Sequence, residues 1–164
     1  MTQAEAQNLL EQEEDTQKGK YLIFTIGAEE YGMEIRYITE IIGIQPITEV
    51  PETQAYIRGI TNLRGKIIPV IDARLRFRMP VREYDKKTCI IVIDINDLSI
   101  GLIVDSVSEV LELRDEDIVP PPDINKGVRR YVKGIGKATS GVKLLLDCER
   151  LLSDEEMETL GSIA

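Results

Sequence analysis

The sequence predicts an all-β protein made of two small five-stranded barrels packed side by side. Three observations carry that reading. Residues 21–41, moved forward by 69, fall on 90–110 without a gap, and the apolar positions agree, with Gly32 on Gly101 and Glu40 on Glu109. Residues 56–72, moved forward by 75, fall on 131–147, where Tyr56/Tyr131, Gly59/Gly134, Ile60/Ile135 and Asp72/Asp147 are identical. Two long ungapped blocks in the same order mark one β module present twice. Each copy also offers roughly five short strand-like runs, too few for a flat sheet with two free edges, and closure into a barrel removes those edges. One larger sandwich is the alternative, which the repeat disfavours.

Residues 1–18 are rich in Glu and Gln, with Leu9-Leu10 as their only apolar pair. They read as a mobile acidic tail, holding at most a short helix over 4–14 and playing no part in the core. The folded domain is expected over 19–164. Residues 21–26 form a strand by composition, 27–30 turn it, and 31–35 return. Ile35, Ile38, Ile41 and Ile42 recur at helical spacing, which predicts one or two helical turns closed by Gly43. Pro46 and Pro51 bracket a short edge strand over 47–50. Residues 57–71 form a hairpin whose exposed tip is Asn62-Leu63-Arg64-Gly65-Lys66. Pro69 argues for a bulge or an edge position there. Residues 75–85 connect the copies, so subdomain one spans about 19–80 and subdomain two about 86–150.

Copy two repeats the plan. Residues 89–95 are apolar almost throughout, which predicts burial on both faces. Asn96-Asp97 turns the chain, and 100–113 continues with alternation at Val107, Val110 and Leu113. A long loop over 115–127 contains Pro120-Pro121-Pro122. Strands at 131–135 and 142–146 close the copy. Ser153 with Glu156 three residues on is a capping box, and the helix it opens carries Met157 and Leu160 over one barrel end and onto subdomain one.

Composition narrows the function classes. A net charge of −9 repels phosphate backbones and disfavours unaided docking on anionic lipid, so neither nucleic acid nor direct membrane insertion is expected. No apolar run approaches the ~20 residues of a membrane helix, and no signal peptide is recognisable. A cytoplasmic protein is expected. Cys89 and Cys148 read as buried, reduced thiols. The chain has no histidine, which removes the commonest general base and the commonest neutral metal ligand. Asp72, Asp94, Asp97 and Asp105 are the best acidic candidates for a metal. They form no Asp-x-Asp-x-Asp-Gly loop, and the repeat pairing of Asp72 with Asp147 favours a structural turn role. No phosphate-cradling glycine loop is present. No cofactor, no metal and no catalysis are expected. The competing reading from another class is a small enzyme or ligand-binding barrel using carboxylates or Lys66.

The copies differ most at one place: Asn62-Leu63-Arg64-Gly65 in the first against Lys137-Ala138-Thr139-Ser140 in the second. A difference inside a shared scaffold is a candidate for function. Tyr21-Leu22-Ile23-Phe24 with Glu30-Tyr31-Gly32, the run from Ile57 through Arg64-Gly65, and Ile68-Pro69-Val70-Ile71-Asp72 together resemble the CheW family of chemotaxis coupling proteins. The resemblance extends over about residues 20–160. It implies SH3-like barrels and a stand-alone, non-enzymatic adaptor in a two-component signalling pathway. Its expected partners are methyl-accepting chemoreceptors and the regulatory domain of the histidine kinase CheA, at membrane-associated arrays. A scaffold for another kinase pathway, such as motility by pili, is the alternative within this class.

Carried over by position, the resemblance places a receptor-binding groove at Ile38, Glu40, Arg64, Cys89, Gly101 and Val110. It places a kinase-binding face at Gly59, Ile60 and Gly65. Each residue also has a structural explanation. Arg64 could tie down its own hairpin, the glycines could answer to backbone geometry, and Ile38 and Val110 could be core.

Overall fold

The structure, a computed structural model, describes residues 2–10, 17–121 and 130–163. A first helix, α1 (Gln3–Leu10), precedes β1 (Lys20–Ile26) and β2 (Glu29–Glu34). Then come β3 (Ile38–Gly43), β4 (Ile57–Leu63), β5 (Lys66–Asp72) and a single helical turn, α2 (Ala73–Arg76). The second copy supplies β6 (Cys89–Ile95), β7 (Leu98–Val104), β8 (Ser106–Glu112), β9 (Ile118–Val119), β10 (Val132–Ala138) and β11 (Gly141–Leu146), and α3 (Asp154–Ile163) follows.

The strands form two sheets, one of six strands in the order β8-β1-β2-β11-β10-β9 and one of five in the order β3-β6-β7-β5-β4. The fold is mostly β with two sheets and a C-terminal helix, as the sequence predicts. The contiguous division into about 19–80 and about 86–150 is not how the strands pair. Each copy keeps its opening hairpin, β1–β2 or β6–β7, but that hairpin pairs with strands of the other copy. β1 takes β8 on one side and β2 takes β11, in parallel, on the other; likewise β6 takes β3 and β7 takes β5. The reason is geometric. At Ile35–Tyr37, between β2 and β3, and at Asp105, between β7 and β8, the chain bends out of one sheet and into the other.

Three apolar clusters follow from this exchange. The main one lies between the sheets and includes Phe24, Tyr31, Ile91, Ile93 and Leu102. A smaller one gathers Val70, Ile90 and Val92, with Ile42, Ile44 and Ile47 packed against it. The other gathers Tyr21, Ile23, Leu113 and Leu145, with Leu111 and Ile118. The two small clusters are the same positions of the repeat: Ile90/Tyr21, Val92/Ile23, Val70/Leu145 and Ile44/Leu113. β6 reads as a continuous apolar run because alternate residues face the shared core and its own sheet's core. A row of rings, Phe24, Tyr31, Phe77 and Tyr131, spans both copies with successive centroids 6.1, 5.6 and 5.4 Å apart.

Several local expectations are met. Asp72 accepts hydrogen bonds from the Arg74 and Leu75 backbone N–H groups, and Asp147 from that of Glu149, so both repeat partners cap turns. The Ser153/Glu156 capping box is present in both directions, at 2.9 and 3.1 Å, and Leu160 is fully buried.

Others are corrected. The isoleucines from Ile35 make only a 3₁₀ turn, Ile35–Tyr37, before the chain extends as β3. β-branched residues favour extension once a partner strand is available, and β6 is that partner. The strand expected at 47–50 is a single bridge, Thr48 to Ile60. The run 100–113 breaks at Asp105 into β7 and β8. The expected loop over 115–127 begins with a 3₁₀ turn and β9, and its residues from Pro122 onward lie outside the described residues.

Pro69 sits in an interior strand. Ile60 exchanges both its backbone bonds with Thr48, so the facing Ile60–Pro69 pair is a non-hydrogen-bonded one. The Pro69 nitrogen thus faces β7, where the parallel ladder begins one residue later, at Val70. The missing N–H costs nothing there.

The tail also differs from expectation. α1 is docked: Ala6 is fully buried in the shared core, so residues 2–10 do have a core role. Residues 11–16 lie outside the described residues.

Candidate protein-docking seam

β3 and β8 are edge strands of the two sheets, and they are repeat equivalents. Each carries a register shift, between Ile38 and Glu40 on β3 and opposite Ile23/Phe24 on β8. Such bulges turn side chains away from the regular alternation. Cys89, where β6 begins beside β3, lies against the Val107 backbone of β8, and this junction of the two sheets is the seam.

The receptor-binding candidates gather unequally here. Ile38 is 6% exposed and belongs to the shared core. Val110 is half-buried on β8 opposite Leu22 and packs on the same core. Cys89, 5% exposed, opens β6 opposite Gly43. Glu40 lies on β3. These four line the neighbouring strands of the seam. Gly101 does not reach its surface: it is buried on β7, and a Cβ there would sit 2.8 Å from Ile90 Cγ2.

Arg64 comes from the opposite edge of the five-stranded sheet. It and Gly65 form a two-residue hairpin turn with φ of 51° and 86°, both left-handed as a twisted hairpin requires. The Gly65 N–H donates to Asn62 Oδ1 at 2.7 Å and secures the turn. The Arg64 guanidinium makes a two-pronged bond to Glu40, with Nη1 to Oε1 at 2.7 Å and Nη2 to Oε2. The two edges of that sheet, β3 and the β4–β5 tip, are thereby linked across a curled surface. The Arg64 side chain remains 72% exposed while that of Glu40 is 17% exposed. The pair therefore offers its cation to solvent and keeps its anion against the sheet.

The kinase-binding candidates lie along β4 and its turn. Gly65 has open space where a Cβ would be. Ile60 is half-buried and carries the Thr48 bridge. Gly59, at φ 141°, would place a Cβ 2.0 Å from Thr48 O. The close approach at Gly59 is thus made by the chain's own 48–49 segment. Ile67, 41% exposed, adds an apolar side chain to this hairpin.

Sequence reasoning missed the polar bolts that hold the copies together. The Arg74 guanidinium donates to both Asp105 oxygens at 2.8 and 2.7 Å, the Gly27 N–H donates to the same carboxylate, and Arg82 lies 3.3 Å away. Burial pushes this carboxyl up, but Arg74, the Gly27 N–H and Arg82 outweigh it and hold it below the usual carboxylate range. Arg76 donates to both Glu156 oxygens at 2.8 and 2.7 Å and to Leu151 O, and it stacks over Tyr56 and Tyr131. Tyr56 Oη also donates to Glu156. The only signal for these bolts was two arginines just after a capping aspartate.

Lys66 Nζ donates to Ser99 Oγ at 2.8 Å, and Ser99 donates to Asp94 at 2.5 Å, a chain that ties three strands together. Among the described residues no three Cys, Asp or Glu side chains gather as metal ligands would. Both cysteines are buried and unpaired, and burial pushes the Cys148 thiol up to about 12. No helix among the described residues is long and apolar enough to cross a membrane.

Comparison with known proteins agrees with this architecture. The family model of the CheW-like domain matches residues 20–156. A chemotaxis protein CheW of Klebsiella aerogenes is 40% identical over 146 residues, 88% of each chain. That of Bacillus subtilis is 30% identical over 141 residues, covering 85% of this chain and 90% of its own. The crystal structure of the scaffolding protein TtCheW from Thermoanaerobacter tengcongensis superposes with a TM-score of 0.78 at 37% identity, covering 85% of this chain and 97% of that one.

Proposed function

Since the chain belongs to the CheW family of non-enzymatic chemotaxis scaffolds, we propose that it couples the cytoplasmic tips of chemoreceptors to the regulatory domain of the histidine kinase CheA. The seam takes the receptor, with Ile38, Glu40, Arg64, Cys89 and Val110 forming or supporting it and Gly101 acting from within the sheet. The β4–β5 hairpin, with Gly59, Ile60 and Gly65, takes the kinase domain. The protein works in the cytoplasm, held at receptor arrays through these partners.

The observation that carries the reading is the Arg64–Glu40 pair. It sets an exposed, always-charged fork at the rim of an apolar seam. Arginine is enriched among interface hot spots, and this guanidinium, held by Glu40 through both Nη atoms, still presents an exposed positive charge that suits the carboxylates of a helical receptor tip. The two faces adjoin at the β4–β5 tip, where Arg64 turns toward Glu40 on β3 and Gly65 beside it belongs to the hairpin. Interfaces of about 1,600 Å² are ordinary for such contacts.

The test mixes the protein with a soluble chemoreceptor cytoplasmic fragment and the kinase, and follows co-sedimentation and autophosphorylation. A ternary complex with altered kinase activity is expected. Binding of neither partner overturns the reading.

A further inference from the structure

The seam is not empty. α1 lies against both β3 and β8. Of its described side chains, Gln3, Ala6 and Gln7 face the sheets, spaced as one side of a helix. Ala6 enters the shared core beside the seam strands. Gln7 Oε1 accepts the Ile41 N–H of edge strand β3 at 3.0 Å. Gln3 Nε2 sits 3.8 Å from Cys89 Sγ. The helix thus covers two of the strands that carry the receptor-binding candidates.

Among the described side chains the contact is small. Over residues 3–7 it buries one methyl group and two amide tips, with no large apolar side chain and no ion pair. Eight residues are too few for a stable free helix, since isolated helices shorter than about 12 residues are marginal. Its first turn is nonetheless prepared: the Glu5 N–H donates to Thr2 Oγ1 at 3.1 Å and the Thr2 N–H to Glu5 at 3.3 Å. Such a segment is helical when docked and unfolds when released. The chain tethers it to β1, the neighbour of β8, and a short tether keeps a weak ligand at an effective concentration on the order of millimolar.

We propose that α1 is an intramolecular occupant of the seam, which a receptor helix has to displace before it docks. The inference rests on the seam being the receptor site. It makes the open fraction of the seam a factor in the apparent affinity, because occupancy by α1 scales the receptor dissociation constant upward.

The test uses the full chain carrying Ala6→Glu, which forces a charged side chain into the fully buried place of a methyl group. Affinity for a soluble chemoreceptor cytoplasmic fragment is expected to rise at least about threefold, with affinity for the kinase regulatory domain unchanged. Equal or weaker receptor binding by the folded variant overturns the proposal. A second measurement needs no variant. In hydrogen exchange of the unaltered chain, the amides of residues 3–10 are expected to lose protection when the receptor fragment binds. Protection retained in the bound complex overturns the proposal. A fragment that binds neither chain overturns the receptor assignment itself, and this inference with it.

Discussion

The hairpins β4–β5 and β10–β11 hold equivalent places in the two sheets and end differently. Both pair antiparallel, both pass a glycine where a flanking segment crosses close by, and both lead into an aspartate that caps a turn. At the tip the first has Arg64 and Gly65 in a left-handed turn, reaching Glu40. The second has Thr139 and Ser140, neither of them charged, so it brings no cation toward Glu109, the counterpart of Glu40. The difference separates scaffold from function. What the two hairpins share builds a curled sheet; the exposed Arg64 tip, which one copy alone carries, does not serve that purpose.

The largest expected effect tests the shared part. Gly59→Ala meets a backbone oxygen and a φ that other residues avoid, whereas Gly134→Ala meets a side-chain methyl, Ile118 Cγ2, at 2.9 Å. We expect a loss of about 3 kcal/mol for the first and about 1 kcal/mol for the second, read from urea unfolding midpoints. Equal losses would mean the two glycines do the same work and the asymmetry at Thr48 is unimportant.

Next comes the turn after each cap. α2 sends Arg76 across to α3, while its counterpart offers only Arg150, paired with the adjacent Asp147. Arg76→Ala is expected to cost about 2 kcal/mol, because a largely buried Glu156 loses its counter-charge and keeps only the Ser153 N–H and Tyr56 as donors; Arg150→Ala is expected to cost less than about 0.5 kcal/mol. Differential scanning calorimetry of both variants checks this.

The binding test comes third. Arg64→Ala should weaken receptor binding roughly tenfold, while the thermal unfolding midpoint stays near that of the unaltered chain, as for exposed pairs. Thr139→Ala, the matching change in copy two, should alter neither. A cycle with Glu40→Ala sharpens the result. If Glu40 only positions the guanidinium, the double variant binds no worse than Arg64→Ala; if both touch the receptor, the losses add.

The smallest effect at neutral pH concerns Asp105 and Glu156. Burial raises both carboxyls, yet their hydrogen bonds, from Arg74 and Gly27 to the first and from Ser153, Tyr56 and Arg76 to the second, bring the net values below the usual range. A depressed folded value means the unfolded chain takes up protons first. Their stabilisation is complete above the ordinary carboxylate value of about 4 and is lost as pH falls through the depressed values. Unfolding midpoints followed from pH 7 to 2 should show this decline, and it should be shallower in Arg76→Ala.

Much of the fold was legible because β-branched runs, turns and caps are local features. The repeat exposed the equivalence of the two copies and the capping roles of Asp72 and Asp147. What stayed hidden depends on which strand meets which. Ile38, Ile41 and Ile42 fit a helix as well as they fit β3, and only pairing with β6 decides. An offset between copies says nothing about exchange of edge strands. α1 was unreadable as a core element because the side chain it sends into the core is a single alanine flanked by polar residues. Of the candidate site, the resemblance supplied the positions. It could not show that Arg64 and Glu40, 24 residues apart, are bonded to one another, or that Gly59 is crowded by its own chain.

The exchange of strands between copies also governs how the molecule comes apart. A break in the connector after α2 would not free a self-sufficient half, because each piece would own part of both sheets and the whole of neither. The two pieces stay interlocked or both unravel, and heat or urea should melt the protein in one step. A lone ancestral copy would have met the same constraint: with its hairpin and its remaining strands destined for different sheets, it could fold only as an entwined homodimer.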